Sequence, residues 1–143
     1  TLLDHCVHFL VDIMSDANSV IFKDLAQLPV EIKQKILMRL AKKGMNSLIY
    51  QEALRHLFEK GMSWLSLEGY DLGSAELASL VPHCTNLKLL NLNYFKEVDE
   101  SVLLTLAQSV PHLESLSVAH TQTSKQVILE FLLHCKNLKQ LNL

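Results

Sequence analysis

The sequence is short of aromatic residues (6%), of cysteines (three) and of charge of either sign, and each shortage excludes something. Cys6, Cys84 and Cys135 are too few and too scattered for a disulfide framework or a zinc site, which points to a reducing compartment, cytosol or nucleus. Few aromatics beside abundant leucine point to helices and repeats rather than a β-sandwich. Charged residues make up 20% with a net charge of −2, and lysine and arginine are interspersed with aspartate and glutamate. No basic stripe results, so nucleic acid is not the expected partner. No apolar run reaches the roughly 18 residues of a membrane span, and no secretory signal pattern opens the sequence. A glycine-rich phosphate loop, a nucleophile elbow and carboxylates paired on a shared face are all missing. The expectation is a binding protein and not an enzyme, with no catalytic residues and no cofactor.

What is present is leucine in a fixed rhythm. MSWLSLEGY from Met62, NLKLLNLNYF from Asn86, HLESLSVAHT from His112 and NLKQLNL from Asn137 carry one strand pattern. Leu65, Leu90, Leu116 and Leu141 correspond, 25 or 26 residues apart, and Leu67, Leu92, Val118 and Leu143 keep the same register. Between them lie amphipathic stretches, SAELASLVPHC, ESVLLTLAQSVP and SKQVILEFLLHC. Leu77/Leu80, Leu103/Leu106 and Ile128/Phe131 keep helical i, i+3 spacing there. A strand and a helix of this size cannot each bury an apolar side alone, so stacking is predicted, with parallel strands on a concave side and helices on a convex side. The pattern resembles the 26-residue, cysteine-containing leucine-rich repeat over some 80 residues. Tyr70, Phe95 and Thr121 stand where that family has an asparagine ladder.

Residues 1–61 read instead as helices broken by polar turns. The first runs from Thr1 to about Met14, before the turn-rich Ser15-Asp16-Ala17-Asn18-Ser19. The short apolar VIFKDLAQ follows. Leu28-Pro29 then opens a helix with Ile32, Ile36, Leu37 and Leu40 at helical spacing, ending at Gly44. Another helix spans Ser47 to Lys60. The predicted fold is therefore α/β, with a helical adaptor-binding segment over 1–61 and a leucine-rich-repeat solenoid over 62–143. Because residue 1 already lies in a helix and Leu143 in a strand, a window onto a longer protein is expected.

TLLDHCVHFL is apolar on more sides than packing requires. Leu2, Cys6 and Leu10 form one stripe, and Leu3, Val7, Leu10 and Met14 a second. Its order of a small residue, Leu, three residues, Cys, three residues and an aliphatic resembles the BC-box, by which substrate receptors bind elongin C. The resemblance gives Thr1 as the helix cap, Leu2 as the pocket-filling anchor, Cys6 as the position of close approach and Leu10 as its extension. LAQLPVEIKQKIL, whose Leu28 lies 18 residues after Leu10, resembles the cullin-2 form of the second motif such receptors carry, on Leu28, Pro29, Val30 and Ile32. The cullin-5 form would have a second proline, where Glu31 stands here. Together the motifs resemble the Zyg-type leucine-rich-repeat receptors of elongin BC/cullin-2 ubiquitin ligases. That implies elongin C, elongin B, cullin-2 and a protein substrate as partners. DLAQLPVEIKQKILMRL also resembles an F-box, which binds a Skp-type adaptor of a cullin-1 ligase, although MNSLIYQEALRHLF lacks that family's second half. A plain leucine-rich-repeat scaffold is the remaining alternative.

The outward strand positions, Trp64, Leu89, Ser115 and Gln140 in one column and Ser66, Asn91, Ser117 and Asn142 in the next, are the expected substrate surface. Trp64, Leu89, Asn91 and Tyr94 are its candidate contacts; the alternative for the Trp64–Leu89 pair is cover by the helices just before the repeats, acting as an N-terminal cap. His5, Cys6 and His8 share a helical turn, but Cys6 belongs to the apolar stripe and no fourth ligand is evident, so no metal site is expected. Cys84 and Cys135 fall at the repeat's buried position and read as core.

Overall fold

A computed structural model describes residues 1–16, 20–43, 47–70, 72–95 and 98–143. By their contacts these divide into two units, Thr1–Glu59 and Lys60–Leu143. Gly44 and the Ala17-Asn18-Ser19 part of the expected turn lie outside the described residues.

The first unit holds four helices: α1 (Leu2–Asp16), α2 (Val20–Leu25), α3 (Val30–Lys42) and α4 (Ser47–Leu57). The expected break after Met14 comes two residues late, since α1 continues through Ser15 and Asp16. α3 begins where proline forces a start. Pro29 sits just outside it, with φ −56° and ψ 150°, and its carbonyl accepts from the amides of Ile32 (3.0 Å) and Lys33 (3.1 Å). Glu31 in the first turn and Arg39 and Lys42 in the last suit the helix dipole. α4 ends three residues before Lys60. The Phe58 amide makes a last bond to Leu54 O (3.0 Å), and Glu59 then departs to meet Lys33.

α1 and α3 run in the same direction, which the side chains between them make plain. Lys35 Nζ donates to Asp4 (3.3 Å), Arg39 Nη1 to His8 Nδ1 (3.4 Å) and Lys43 Nζ to Asp12 (2.6 Å), each pair 31 residues apart in sequence. Beneath them Val7, Val11 and Met14 of α1 are buried, with Ile36, Leu37 and Leu40 of α3. The α3 stripe departs from expectation at one place. Ile32 is half-buried, whereas Lys33 is only 4% exposed and donates to Glu59 at 2.8 Å. A buried ammonium requires such a partner.

The second unit alternates strand and helix: β1 (Trp64–Ser66), α5 (Ser74–Leu80), β2 (Leu89–Asn91), α6 (Glu100–Ser109), β3 (Ser115–Ser117), α7 (Lys125–His134) and β4 (Gln140–Asn142). A 3-10 turn, Val81–His83, extends α5 around Pro82. The sheet is parallel and ordered β1-β2-β3-β4. Leu65, Leu90, Leu116 and Leu141 are register partners across all four strands, as their spacing predicts. The fold is mixed α/β. Leu65, Leu90 and Leu116 are buried, and Leu141, on the edge strand, is exposed.

Helix positions facing the sheet follow the same period. Leu77 and Leu80 of α5 and Leu103 and Leu106 of α6 are buried. In α7 the buried pair is Val127 and Phe131, four apart, with Ile128 half-buried in place of the expected partner. Ser124 caps that helix by accepting from the Val127 amide (3.3 Å), which fixes Val127 in the first turn. Cys84 and Cys135 are buried, their thiols donating to Leu80 O (3.2 Å) and Val110 O (3.3 Å). Burial pushes the Cys84 thiol up to about 12 and Cys135 to about 11.

Past the strands the chain makes the same turn three times. The amides of Tyr70, Phe95 and Thr121 donate to Leu67 O, Leu92 O and Val118 O (3.2, 3.0 and 3.3 Å). Tyr70 and Phe95 are buried and pack the turns. The residue before each has positive φ: Gly69 (70°), Tyr94 (58°) and His120 (56°). For tyrosine and histidine this conformation costs about 1–3 kcal/mol each.

Candidate functional site

The two units each carry a surface on which the candidate residues can be placed. On the first, α1 opens with a capped turn. Thr1 Oγ1 accepts from the Asp4 amide (3.2 Å), so Thr1 caps the helix as expected of that position. Hydrogen bonding from the Thr1 hydroxyl, with Lys35 beside it, holds the Asp4 carboxyl well below the usual carboxylate range. Lys43 likewise lowers Asp12. These charges fasten α1 along its flank to α3, while Val7, Val11 and Met14 fasten it underneath.

Among the described residues, the side of α1 away from this core is largely exposed, and it is apolar apart from His5. Leu2 is 82% exposed, Phe9 66%, and Cys6 is exposed between them. Leu10, expected to extend this strip, is half-buried, and Leu3, placed on the second stripe, is 40% exposed. Phe9 was not among the candidate contacts. Its i+3 spacing from Cys6 was the available signal, hidden because Leu10 fits the motif's aliphatic position. The cullin candidates are accessible to differing degrees: Pro29 is exposed, and Leu28, Val30 and Ile32 are half-buried.

In the second unit, Trp64 and Leu89 are register partners on neighbouring strands and both are half-buried. Asn91, also half-buried, belongs to a polar thread that crosses the sheet face. Asn142 Nδ2 donates to Ser117 Oγ (2.9 Å), which donates to Asn93 Oδ1 (2.7 Å). The Asn93 amide donates to Asn91 Oδ1 (3.0 Å), and Asn91 Nδ2 donates to Glu68 (2.8 Å). At the end of the strands Tyr94 is 49% exposed, and its ring stacks on that of His120, centroids 4.7 Å apart and planes 9° from parallel. His120 was not foreseen as part of the surface. The 26-residue step from Tyr94 was its signal in the sequence.

No family model matches the chain, and no curated protein matches it. Among the described residues no three histidine, cysteine, aspartate or glutamate side chains gather to hold a metal ion. No described helix is long and apolar enough to cross a membrane. An apolar groove of about 220 Å³ is lined by Ala78, Val81, Pro82, Ser101, Val102 and Thr105. A second cavity of about 120 Å³ lies beside Leu92, Phe95, Val98 and Thr121. Among the described residues, these linings hold hydroxyls but no histidine, cysteine or carboxylate.

Proposed function

We propose that this chain is the adaptor-binding and repeat-bearing part of a substrate receptor for an elongin BC/cullin-2 ubiquitin ligase, acting in the cytoplasm or nucleus. The observation that carries the reading is the division of α1 into two faces. Val7, Val11 and Met14 face inward, and Leu2, Cys6 and Phe9 are left to solvent. A helix that satisfies its own core with one stripe and exposes a second apolar stripe is suited to a partner's groove. In this reading Thr1, Leu2, Cys6 and Leu10 dock on elongin C, and elongin B comes with it. Leu28, Pro29, Val30 and Ile32 approach cullin-2. The strand–helix unit is the beginning of a leucine-rich-repeat solenoid, strands on its concave side. Trp64, Leu89, Asn91 and Tyr94 lie on the face that holds a protein substrate.

The receptor performs no bond chemistry of its own. It raises the local concentration of substrate near a loaded ubiquitin carrier, and other subunits carry out the transfer. The test is co-purification of the chain with elongin B/C and, in parallel, with a Skp-type adaptor. Retention of elongin, lost on changing Leu2 and Cys6 to bulky polar residues, is the expected result. Binding to the Skp-type adaptor alone would overturn the proposal in favour of the F-box reading. Binding to neither would leave a plain repeat scaffold.

A further inference from the structure

Gly69, Tyr94 and His120 occupy one position in successive turns. Each has positive φ, and the bond from Gly69 N to Asn93 O (3.2 Å) is repeated one strand further on as Tyr94 N to Ala119 O (3.0 Å). The side chains at this position therefore form a column. His120 stacks on one face of the Tyr94 ring, and on the other side stands the glycine, which has none. Among the described residues, its two chain neighbours aside, a Cβ placed at Gly69 would meet nothing within 4 Å. The column thus contains a gap of one side chain, beside an exposed ring.

The residue next to the gap is charged. Glu68 is exposed, and among the described residues its side-chain partner is a neutral amide, Asn91 Nδ2 at 2.8 Å, which orients the carboxylate. A planar cation fits both features. A guanidinium can lay its face on a tyrosine ring and offer its N–H groups to a carboxylate. An ammonium could pair with Glu68 but has no plane to stack, whereas an aromatic ring could stack but would leave the carboxylate unanswered.

We propose that the Gly69 gap receives the guanidinium of an arginine side chain from a protein partner, stacked on Tyr94 and paired with Glu68. The proposal rests on reading the strand face as the substrate surface and is independent of adaptor docking by α1.

The test is an NMR titration of the full chain with the blocked tripeptide acetyl-Gly-Arg-Gly-amide, and with its lysine and phenylalanine counterparts. The expected result is saturable shifts of the Gly69 amide and the Tyr94 and His120 rings with the arginine peptide. The lysine peptide should bind more weakly, because an ammonium keeps the charge but loses the planar stacking and the forked N–H donors of a guanidinium. Gly69→Asn should fill the gap and block binding without strain, since asparagine tolerates positive φ. Tyr94→Asn removes the ring under the same backbone condition. Glu68→Gln, a surface change with no bearing on folding, should weaken the arginine peptide about two- to fivefold. An arginine peptide that shifts none of these resonances, a phenylalanine peptide that binds equally well, or affinity unchanged in Glu68→Gln would each overturn the proposal. Shifts confined to Trp64 and Leu89 would overturn the arginine slot while leaving the substrate face standing. Loss of elongin binding in a separate assay would count only against the adaptor reading.

Discussion

Replacing residues on the two faces of α1 should separate stability from binding. Val7 and Val11 are 1% and 2% exposed. Truncating either to alanine removes two buried carbons at about 0.8 kcal/mol each, and the cavity left behind raises the loss to about 1.5–3 kcal/mol per site. The sites are neighbours on one stripe, so the double variant is not expected to be additive. On the opposite face, Leu2→Ser, Cys6→Ser and Phe9→Ser exchange groups that already meet water, and each should change stability by no more than about 0.5 kcal/mol. Their effect should appear in binding instead. Loss of apolar anchors from a desolvated pocket costs at least about 2 kcal/mol, roughly thirtyfold in Kd. Urea unfolding followed by far-UV circular dichroism measures the first quantity, and calorimetric titration with elongin B/C the second. If the triple serine variant lost more than about 1.5 kcal/mol of stability, the outer face would be part of the core after all. No docking strip would then be reserved on α1.

Other outcomes follow from the buried groups. Glu59→Ala strands the Lys33 ammonium and should destabilise the first unit by about 1–3 kcal/mol, below the full cost of breaking a buried pair because Glu59 is itself partly exposed. Lys33→Met should be neutral or stabilising in the same urea assay. Gly69→Ala should lose about 1–2 kcal/mol although space is open, because the strain lies in the backbone at φ 70°. A thiol reagent applied to the native protein should modify Cys6 alone, and unfolding in denaturant should release Cys84 and Cys135. Because the Cys84 pKa is raised from its ordinary 9 to about 12 on folding, the unfolded chain gives up that proton first as pH rises. Its contribution, about 4 kcal/mol by linkage, is present below pH 9 and lost between 9 and 12. The stability difference between the wild type and Cys84→Ala should shrink over that window.

The sheet was legible because strand pairing imposes its period on the sequence. A leucine that must face the core at β1 must do so again at β2 and β3, and the 25- and 26-residue steps record this. Helix facing was less legible. Neighbouring apolar residues such as Val127 and Ile128 both fit a helical stripe, and the Ser124 cap decides between them. Lys33 could not be read as core from its type, since its burial depends on Glu59, 26 residues away. The same holds for the Tyr94–His120 stack. The chemistry of those residues says little about a left-handed turn, and only their common register with Gly69 brings them into one column.

The shared direction of α1 and α3 has a further consequence. Parallel neighbours set their positive ends side by side and their negative ends likewise, an arrangement that repels. The ion pairs of Lys35 with Asp4 and Lys43 with Asp12 act against that repulsion from the solvent side, where their reach is limited to a Debye length of about 8 Å at physiological ionic strength. Dissolved ions thus tune how tightly the leading helix clings to its neighbour, while the valines beneath hold it regardless.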